Sequence, residues 1–417
     1  MKKYVVVSCP IDTYSGYGAR ARDLVKALIK ARPDFEVRIL SQRWGNTRFG
    51  YLKDHNENDL QSRIIPNLTS KPDVWIQHTV PNEFQPVGKF NIGVTAGMET
   101  TLVHATWIQG MNRMDTNIVS SNHSKEVFLN STFTEKDKQG QEIGKIKMEK
   151  PIEVLFEGVN LDVYKKVESK LDFSEMKDKF AFLFVGHWLQ GEHGQDRKNV
   201  SYLIKTFLET FKNKMHKPAL ILKVQRANSS FIDQELMLKK IEEIKQTVKG
   251  ALPNIYLLHG EMTDGEVNEL YNHPKVKAMV SFTKGEGFGR PLLEFTTTGK
   301  PVIASGWSGH LDFLDSDKSF LVGGKLENVH RSAVIKDMIL AESQWFQAED
   351  KQVAAAWTEI HKNYDKWLKK SIKQRDKTRK HYTLDNMSDK LKELLDAQDL
   401  PEMIDLKLPD LNLPTLG

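Results

Sequence analysis

Short β-branched runs alternate with helical stretches twice over in this chain, once in each half, and few folds accept that order. The first series opens at residues 4–8, turns at Ser15-Gly16-Tyr17-Gly18, and continues as a helix with Ala21, Leu24, Val25 and Leu28 on one face. Strand-like runs at 36–40, 73–77, 91–95 and 116–120 follow. A second series begins at 180–186 and recurs at 219–224, 255–258, 278–280 and 301–304, with a helix at about 233–249. Such alternation predicts an α/β protein of parallel βαβ units in two doubly wound, Rossmann-like domains. The expected bounds are 1–158 and 159–370, with the link near 158–162. Residues 371–417 are expected to supply a closing helix that crosses back at 385–395 and then an extended, Pro-punctuated tail.

At 417 residues the chain exceeds one ordinary core. Its 39% hydrophobic and 28% charged content suits a globular protein in water. No run approaches the roughly 18 apolar residues of a membrane span, and the opening Met1-Lys2-Lys3-Tyr4-Val5-Val6-Val7 is too short in its apolar part for a signal peptide. One cysteine, Cys9, excludes an internal disulfide, and no His/Cys spacing marks a metal site. A cytoplasmic location is expected. Sixty Lys+Arg against fifty-five Asp+Glu leave +5, which permits contact with nucleic acid or an anionic membrane without demanding it. The basic residues are densest at 366–380, where a solvated helix face is the ordinary reading.

The stretch with most chemistry is Gly285-Glu286-Gly287-Phe288-Gly289-Arg290-Pro291-Leu292-Leu293-Glu294, between a strand-like run and a short apolar helix. Its glycines let backbone approach a ligand, and Pro291 suits a first helical turn. A helix start offers free N–H groups and a positive dipole end to phosphate. The carboxylates of Glu286 and Glu294 flank that seat and can accept hydrogen bonds from sugar hydroxyls. Taken singly, the turn is a common α/β connection and Glu294 a solvated helix residue.

As a whole the stretch resembles the glutamate–seven–glutamate signature of retaining glycosyltransferases of the GT-B fold, the large group 1 family that also includes sucrose and bacterial lipopolysaccharide glycosyltransferases. The resemblance implies two Rossmann-like domains facing a central cleft. It implies that Glu286 contacts the donor sugar's hydroxyls and Glu294 the ribose, with backbone N–H groups of Gly287, Phe288 and Gly289 nearby. Gly16 and Gly18, at the first strand-to-helix turn, match the family's N-terminal glycine loop. In the second half Val185-Gly186-His187 opens a loop ending in Asp196-Arg197-Lys198-Asn199. Arg197 and Lys198 match the family's diphosphate-clamping cations, His187 stands where an Arg is frequent, and Arg226 is a further donor-side candidate. Lys284, Gly285 and Glu286 would meet sugar hydroxyls. His310 is either a ligand contact or a satisfied loop residue, and Tyr271 reads as core.

One departure concerns the reacting centre. Where relatives carry a His-Asp pair, this chain reads Ala96-Gly97-Met98-Glu99-Thr100, so Glu99 or His78 would face the anomeric carbon. Tyr14, Ser15, Tyr17 and His78 are candidates for the acceptor. The resemblance implies a retaining transfer from a nucleoside diphosphate sugar, a UDP-sugar by preference, without a metal or other cofactor. The chain looks most like enzymes of large tailed bacteriophages, which makes a 5-hydroxymethylated pyrimidine of DNA, such as 5-hydroxymethylcytosine, the first acceptor and the host cytoplasm the setting. Residues 366–380 could then track phosphates. A bacterial surface polysaccharide or lipid-linked glycan is the competing acceptor. A non-catalytic nucleotide-sugar or DNA-binding module is the reading from another class. Asp410-Leu411-Asn412-Leu413-Pro414 resembles peptides that dock on sliding clamps, although a plain tail is the commoner use of such an end.

Overall fold

The structure is a computed structural model describing residues 2–226 and 230–402. Its first domain runs β1 (Lys3–Cys9), α1 (Gly16–Ala31), β2 (Phe35–Ser41), the short helices α2 (Tyr51–Asp54) and α3 (Asn58–Ser62), and β3 (Val74–His78). It continues through β4 (Phe90–Val94), α4 (Ala105–Asn112), β5 (Thr116–Val119) and α5 (Asn122–Asn130). A hairpin of β6 (Phe133–Lys136) and β7 (Glu142–Ile146) precedes the last strand, β8 (Ile152–Val154). The six-stranded sheet has the order β2-β1-β3-β4-β5-β8, and every pairing in it is parallel.

The second domain repeats the plan with β9 (Ala181–His187), α6 (Val200–Phe211), β10 (Ala219–Gln225), α7 (Phe231–Gln246) and β11 (Ile255–Leu258). Then come α8 (Asp264–Asn272), β12 (Val276–Ser281), α9 (Arg290–Thr296), β13 (Val302–Ser305) and β14 (Phe320–Val322). Its sheet, also parallel throughout, has the order β11-β10-β9-β12-β13-β14. An antiparallel hairpin of β15 (Gly324–Asn328) and β16 (Gln344–Ala348) follows, and then α10 (Asp350–Lys362), α11 (Tyr364–His381) and α12 (Leu384–Asp396).

Both faces of each sheet are covered, which is why the strands read as continuous apolar runs. Val5 and Val7 of β1 pack with Leu24 and Leu28 of α1, whereas Val6 between them joins Trp107 and Phe128 on the opposite face. In the second sheet Phe182 and Phe184 meet Phe207 and Trp357, while Ala181 and Leu183 meet Leu270 and Leu293. The expected helix at 233–249 is α7, beginning at Phe231. The helical C-terminal part is broken at Asn363 and again before Thr383.

Those breaks matter for the crossing. α11 stays with the second domain, where Thr378 bonds Thr296 at 2.8 Å and Gln374 donates to the Phe313 carbonyl at 2.7 Å. Thr383 then caps α12 in a reciprocal box with Asn386, and α12 lies on α1. Met387, Leu391 and Leu395 enter the first domain's core, and Ser388 donates to the Ala27 carbonyl at 3.0 Å. The outgoing and returning linkers pair with each other: Val159 N–H donates to Tyr382 (2.8 Å) and Leu384 N–H to Val159 (3.1 Å). At Gly158 a Cβ would sit 2.5 Å from the Thr383 carbonyl oxygen, so the pairing needs glycine there. Residues 410–416, compared above with clamp-docking peptides, lie outside the described residues.

Leu391 is 1% exposed, so Leu391→Ala is expected to cost the first domain about 2–5 kcal/mol in urea unfolding. Lys392→Ala on the solvent side of the same helix should leave the midpoint unchanged.

Candidate functional site

In each sheet the strand order reverses at one place, between β1 and β3 in the first and between β9 and β12 in the second. Loops leaving a parallel sheet at such a point form a crevice, and the two crevices face each other. The loop after β9 ends in Arg197 and Lys198, with Asn199 in the left-handed region (φ 57°) starting α6. The loop after β12 carries Glu286 and ends at Gly289 (φ 98°), which caps α9. Pro291 occupies the first turn of that helix, as its fixed φ and missing N–H suit.

These loops converge on one carboxylate. Lys198 Nζ donates to Glu286 Oε1 at 2.5 Å, and Arg197 Nη1 lies 3.5 Å from Oε2. The same Nη1 is 3.4 Å from Glu99 Oε1 on the first domain. The Arg197 carbonyl accepts Lys284 N–H (2.8 Å), and its guanidinium donates to the Gly285 carbonyl (3.0 Å). Glu286 N–H donates to Ser308 Oγ (2.9 Å), and its carbonyl accepts Gly309 N–H (2.9 Å). Burial pushes the Glu286 carboxyl up, but Lys198 and Arg197 outweigh it and hold the group at about 2. Burial pulls Lys198 down while Glu286 lifts it; for Arg197, Glu99 and Glu286 overcome burial and raise it. Arg197 and Lys198 are therefore inward-facing cations rather than two exposed charges at a helix start.

Two glycines of this loop also lie against the first domain. A Cβ on Gly285 would lie 1.8 Å from the Glu99 carbonyl oxygen, and one on Gly287 would lie 2.4 Å from that of Ala96. Ser120 Oγ bridges the same seam, bonding the carbonyls of Ala96 and Gly287. Phe288 is core, its ring 5.1 Å from Phe313.

Glu294 is buried, not solvated, and it is paired. Arg290 Nε donates to Glu294 Oε1 at 2.6 Å, while Arg290 Nη1 reaches Asp23 Oδ2 of α1 at 2.5 Å. Burial lifts Glu294 to about 7 against the pull of Arg290. Tyr271 is core, as read. His310 is buried, with its Nε2 on the Ser305 carbonyl at 2.6 Å and its Nδ1 without a hydrogen-bond partner among the described residues. Lys284 corrects another expectation. It is fully buried and points away from the crevice, onto Gln347 and 5.4 Å over the Trp345 ring, and burial brings it to about 8.

On the first domain Ser15 is used as the N-cap of α1, accepting Gly18 N–H at 2.9 Å. Gly18 is needed because a Cβ would meet the Thr13 carbonyl at 2.3 Å; Gly16 faces open space. Tyr14 hydroxyl donates to Asp54 at 2.7 Å beneath Arg48, which in turn reaches Glu261 of the second domain at 2.7 Å. Tyr17 hydroxyl bonds Thr95 Oγ1 (3.0 Å), one residue from the Gly287 seam. Its ring stacks on Trp44 at 3.9 Å and on buried His78 at 5.1 Å. Asp23 and Trp44 are site residues that sequence reasoning missed, since each lies in a segment with no motif. Gly186 and exposed His187 end β9 at the crevice, with Lys198 Cδ 3.9 Å from where a Gly186 Cβ would be. Arg226 stands apart, 3.8 Å from Asp233.

A void of about 10 Å³ lies within the second domain, lined by Lys198, Ser281, Glu286, Gly289 and Leu292. Among the described residues no group of three His, Cys, Asp or Glu side chains is placed to hold a metal ion, and no helix is long and apolar enough to cross a membrane.

No family model and no curated protein matches the chain. Solved structures do. HepE of Anabaena, in a complex with UDP and glucose, superposes with a TM-score of 0.63 at 12% identity, over 95% of this chain and 100% of that one. Sucrose-phosphate synthase of Thermosynechococcus elongatus gives 0.60 at 11%, over 95% and 98%. A glycosyltransferase of Rickettsia africae gives 0.60 at 15%, over 95% and 100%. At such identities the likeness carries the fold, and the fold is GT-B.

Gly285→Ala is expected to hold the domains apart, giving a larger radius in X-ray scattering while each domain keeps its own unfolding transition. The ion pairs of Glu286 give a signed pH dependence. Its folded value of about 2 lies below the ordinary 4.5, so its contribution is complete above that value and fades as pH falls toward 2. From pH 5 to pH 3 the wild type should lose about 2 kcal/mol more stability than Lys198→Gln, whose Glu286 titrates nearer normally.

Proposed function

We propose that the chain is a glycosyltransferase that moves a sugar from a nucleoside diphosphate sugar, a UDP-sugar by preference, to an acceptor hydroxyl. The observation that carries this reading is the convergence of Arg197 and Lys198 on Glu286 at the second sheet's switch point, facing the first domain. HepE, of the same fold, has been solved with UDP-glucose. In this reading the diphosphate takes Arg197 and Lys198 away from Glu286, whose freed carboxylate accepts the sugar's hydroxyls. Glu294 takes the ribose diol.

We read the transfer as one with retention. The C1–O bond to phosphate breaks while Arg197 and Lys198 stabilise the charge that builds on the departing diphosphate. The acceptor oxygen bonds C1 from the same face, and its proton passes to the leaving phosphate oxygen. Glu99, held 3.4 Å from Arg197, is in this reading the group that would face the reacting side from the first domain. With two cations at the leaving group, we read the transfer as one that needs no metal.

For the acceptor we propose the hydroxymethyl group of a 5-hydroxymethylpyrimidine in DNA. Support comes from the half-buried Trp44 stacked on Tyr17, a surface on which a base can lie. Further support is the exposed face of α11, where Lys369, Lys373, Arg379 and Lys380 have no carboxylate partner among the described residues. A surface glycan is the second acceptor class.

Incubating the protein with UDP-glucose and hydroxymethylated DNA should add one hexose to the nucleoside mass, and Glu286→Gln should lower kcat by about 100-fold or more. Turnover undiminished in that variant at saturating donor would remove Glu286 from the mechanism. Hexose found on glycan but not on DNA would reassign the acceptor.

A further inference from the structure

We propose that Arg290 is a positioning residue that couples the nucleotide end of the donor site to closure of the domains, acting through Asp23 on one side and Glu294 on the other. The inference rests on the nucleotide-sugar reading above and adds to it a route by which the donor is sensed.

Arg290 opens α9 with a single guanidinium shared between carboxylates of different domains: Nε to Glu294 at 2.6 Å, Nη1 to Asp23 at 2.5 Å. All three side chains are largely out of water, at 22%, 7% and 11% exposed. A planar fork with several N–H groups can serve two acids at once in fixed directions, which a lysine ammonium does far less well. The arrangement is also crowded with acid. Glu157, buried at the end of the first domain, feels Arg20 and Arg290 as its nearest cations, with Asp23 close by. Asp23, Glu157 and Glu294 thus all feel the charge of Arg290, and any ligand that satisfies one carboxylate changes what Arg290 offers the others.

Two consequences follow. With the domains together, Asp23 fixes the guanidinium plane, and the guanidinium fixes Glu294 Oε1, leaving the carboxylate oriented for a diol. With the domains apart, Glu294 keeps Arg290 but loses that orientation. When ribose hydroxyls take up Glu294, Arg290 turns its charge toward Asp23 and the interdomain pair strengthens. Nucleotide binding and closure therefore favour each other, and linkage makes the effect equal in both directions.

The test measures nucleotide affinity by calorimetry, size by X-ray scattering with and without saturating UDP, and donor turnover, in wild type, Asp23→Asn and Asp23→Glu. The expected result is that Asp23→Asn keeps its fold and binds UDP, fails to compact with it, and loses at least tenfold in kcat. Asp23→Glu, which restores the charge, should recover compaction and most of the kcat. If Asp23→Asn compacts with UDP and turns over as the wild type does, the coupling is wrong while the proposed function stands. If Asp23→Glu behaves like Asp23→Asn, the pair is a packing contact and the coupling is again wrong. A wild type that binds no nucleoside diphosphate would overturn the functional reading itself, and the coupling with it.

Discussion

The closeness of two backbones sets the rest of this structure. Residues 285–287 of the second domain lie against residues 96–99 of the first with no room for a side chain at Gly285 or Gly287. That seam brings Glu99 to Arg197, and Arg290 to Asp23, so charged groups from both domains meet where they are largely withdrawn from water. Ion pairs in such surroundings are stable only when every member has a partner. Here each carboxylate of interest has one: Lys198 and Arg197 for Glu286, Arg290 for Glu294.

A site satisfied in this way spends nothing on keeping bare charges buried while it waits. It also fixes what a ligand must bring. On the function proposed above, the donor's diphosphate would replace Glu286 beside the cations and its hydroxyls would occupy the freed carboxylates, so that no buried charge is left without a partner.

Much of this was legible in the chain. Strands buried on both faces announce themselves as apolar runs, so β1, β9, β10 and β12 stood out, and Arg197, Lys198, Glu286 and Glu294 lie in loops that follow such runs. Less was legible where structure depends on distant partners. The β6–β7 hairpin is charged and mostly exposed, and β8 and β14 are three residues each, too short to show a period. Asp23 reads as one polar residue on a helix, and only the arrival of Arg290 from the other domain gives it a role. Lys284 was assigned to the crevice by proximity in sequence. Its direction is decided by Gln347, on a hairpin that no local pattern ties to it. Glycine was read as permission for a ligand, because the chain cannot say which surface will come close.

The paired linkers have a mechanical consequence. Since Val159 and Thr383 run side by side as a single rung of ladder, the two halves are joined as the covers of a book are joined by a narrow spine. Bending about that line costs little, whereas sliding one half past the other would shear main-chain bonds.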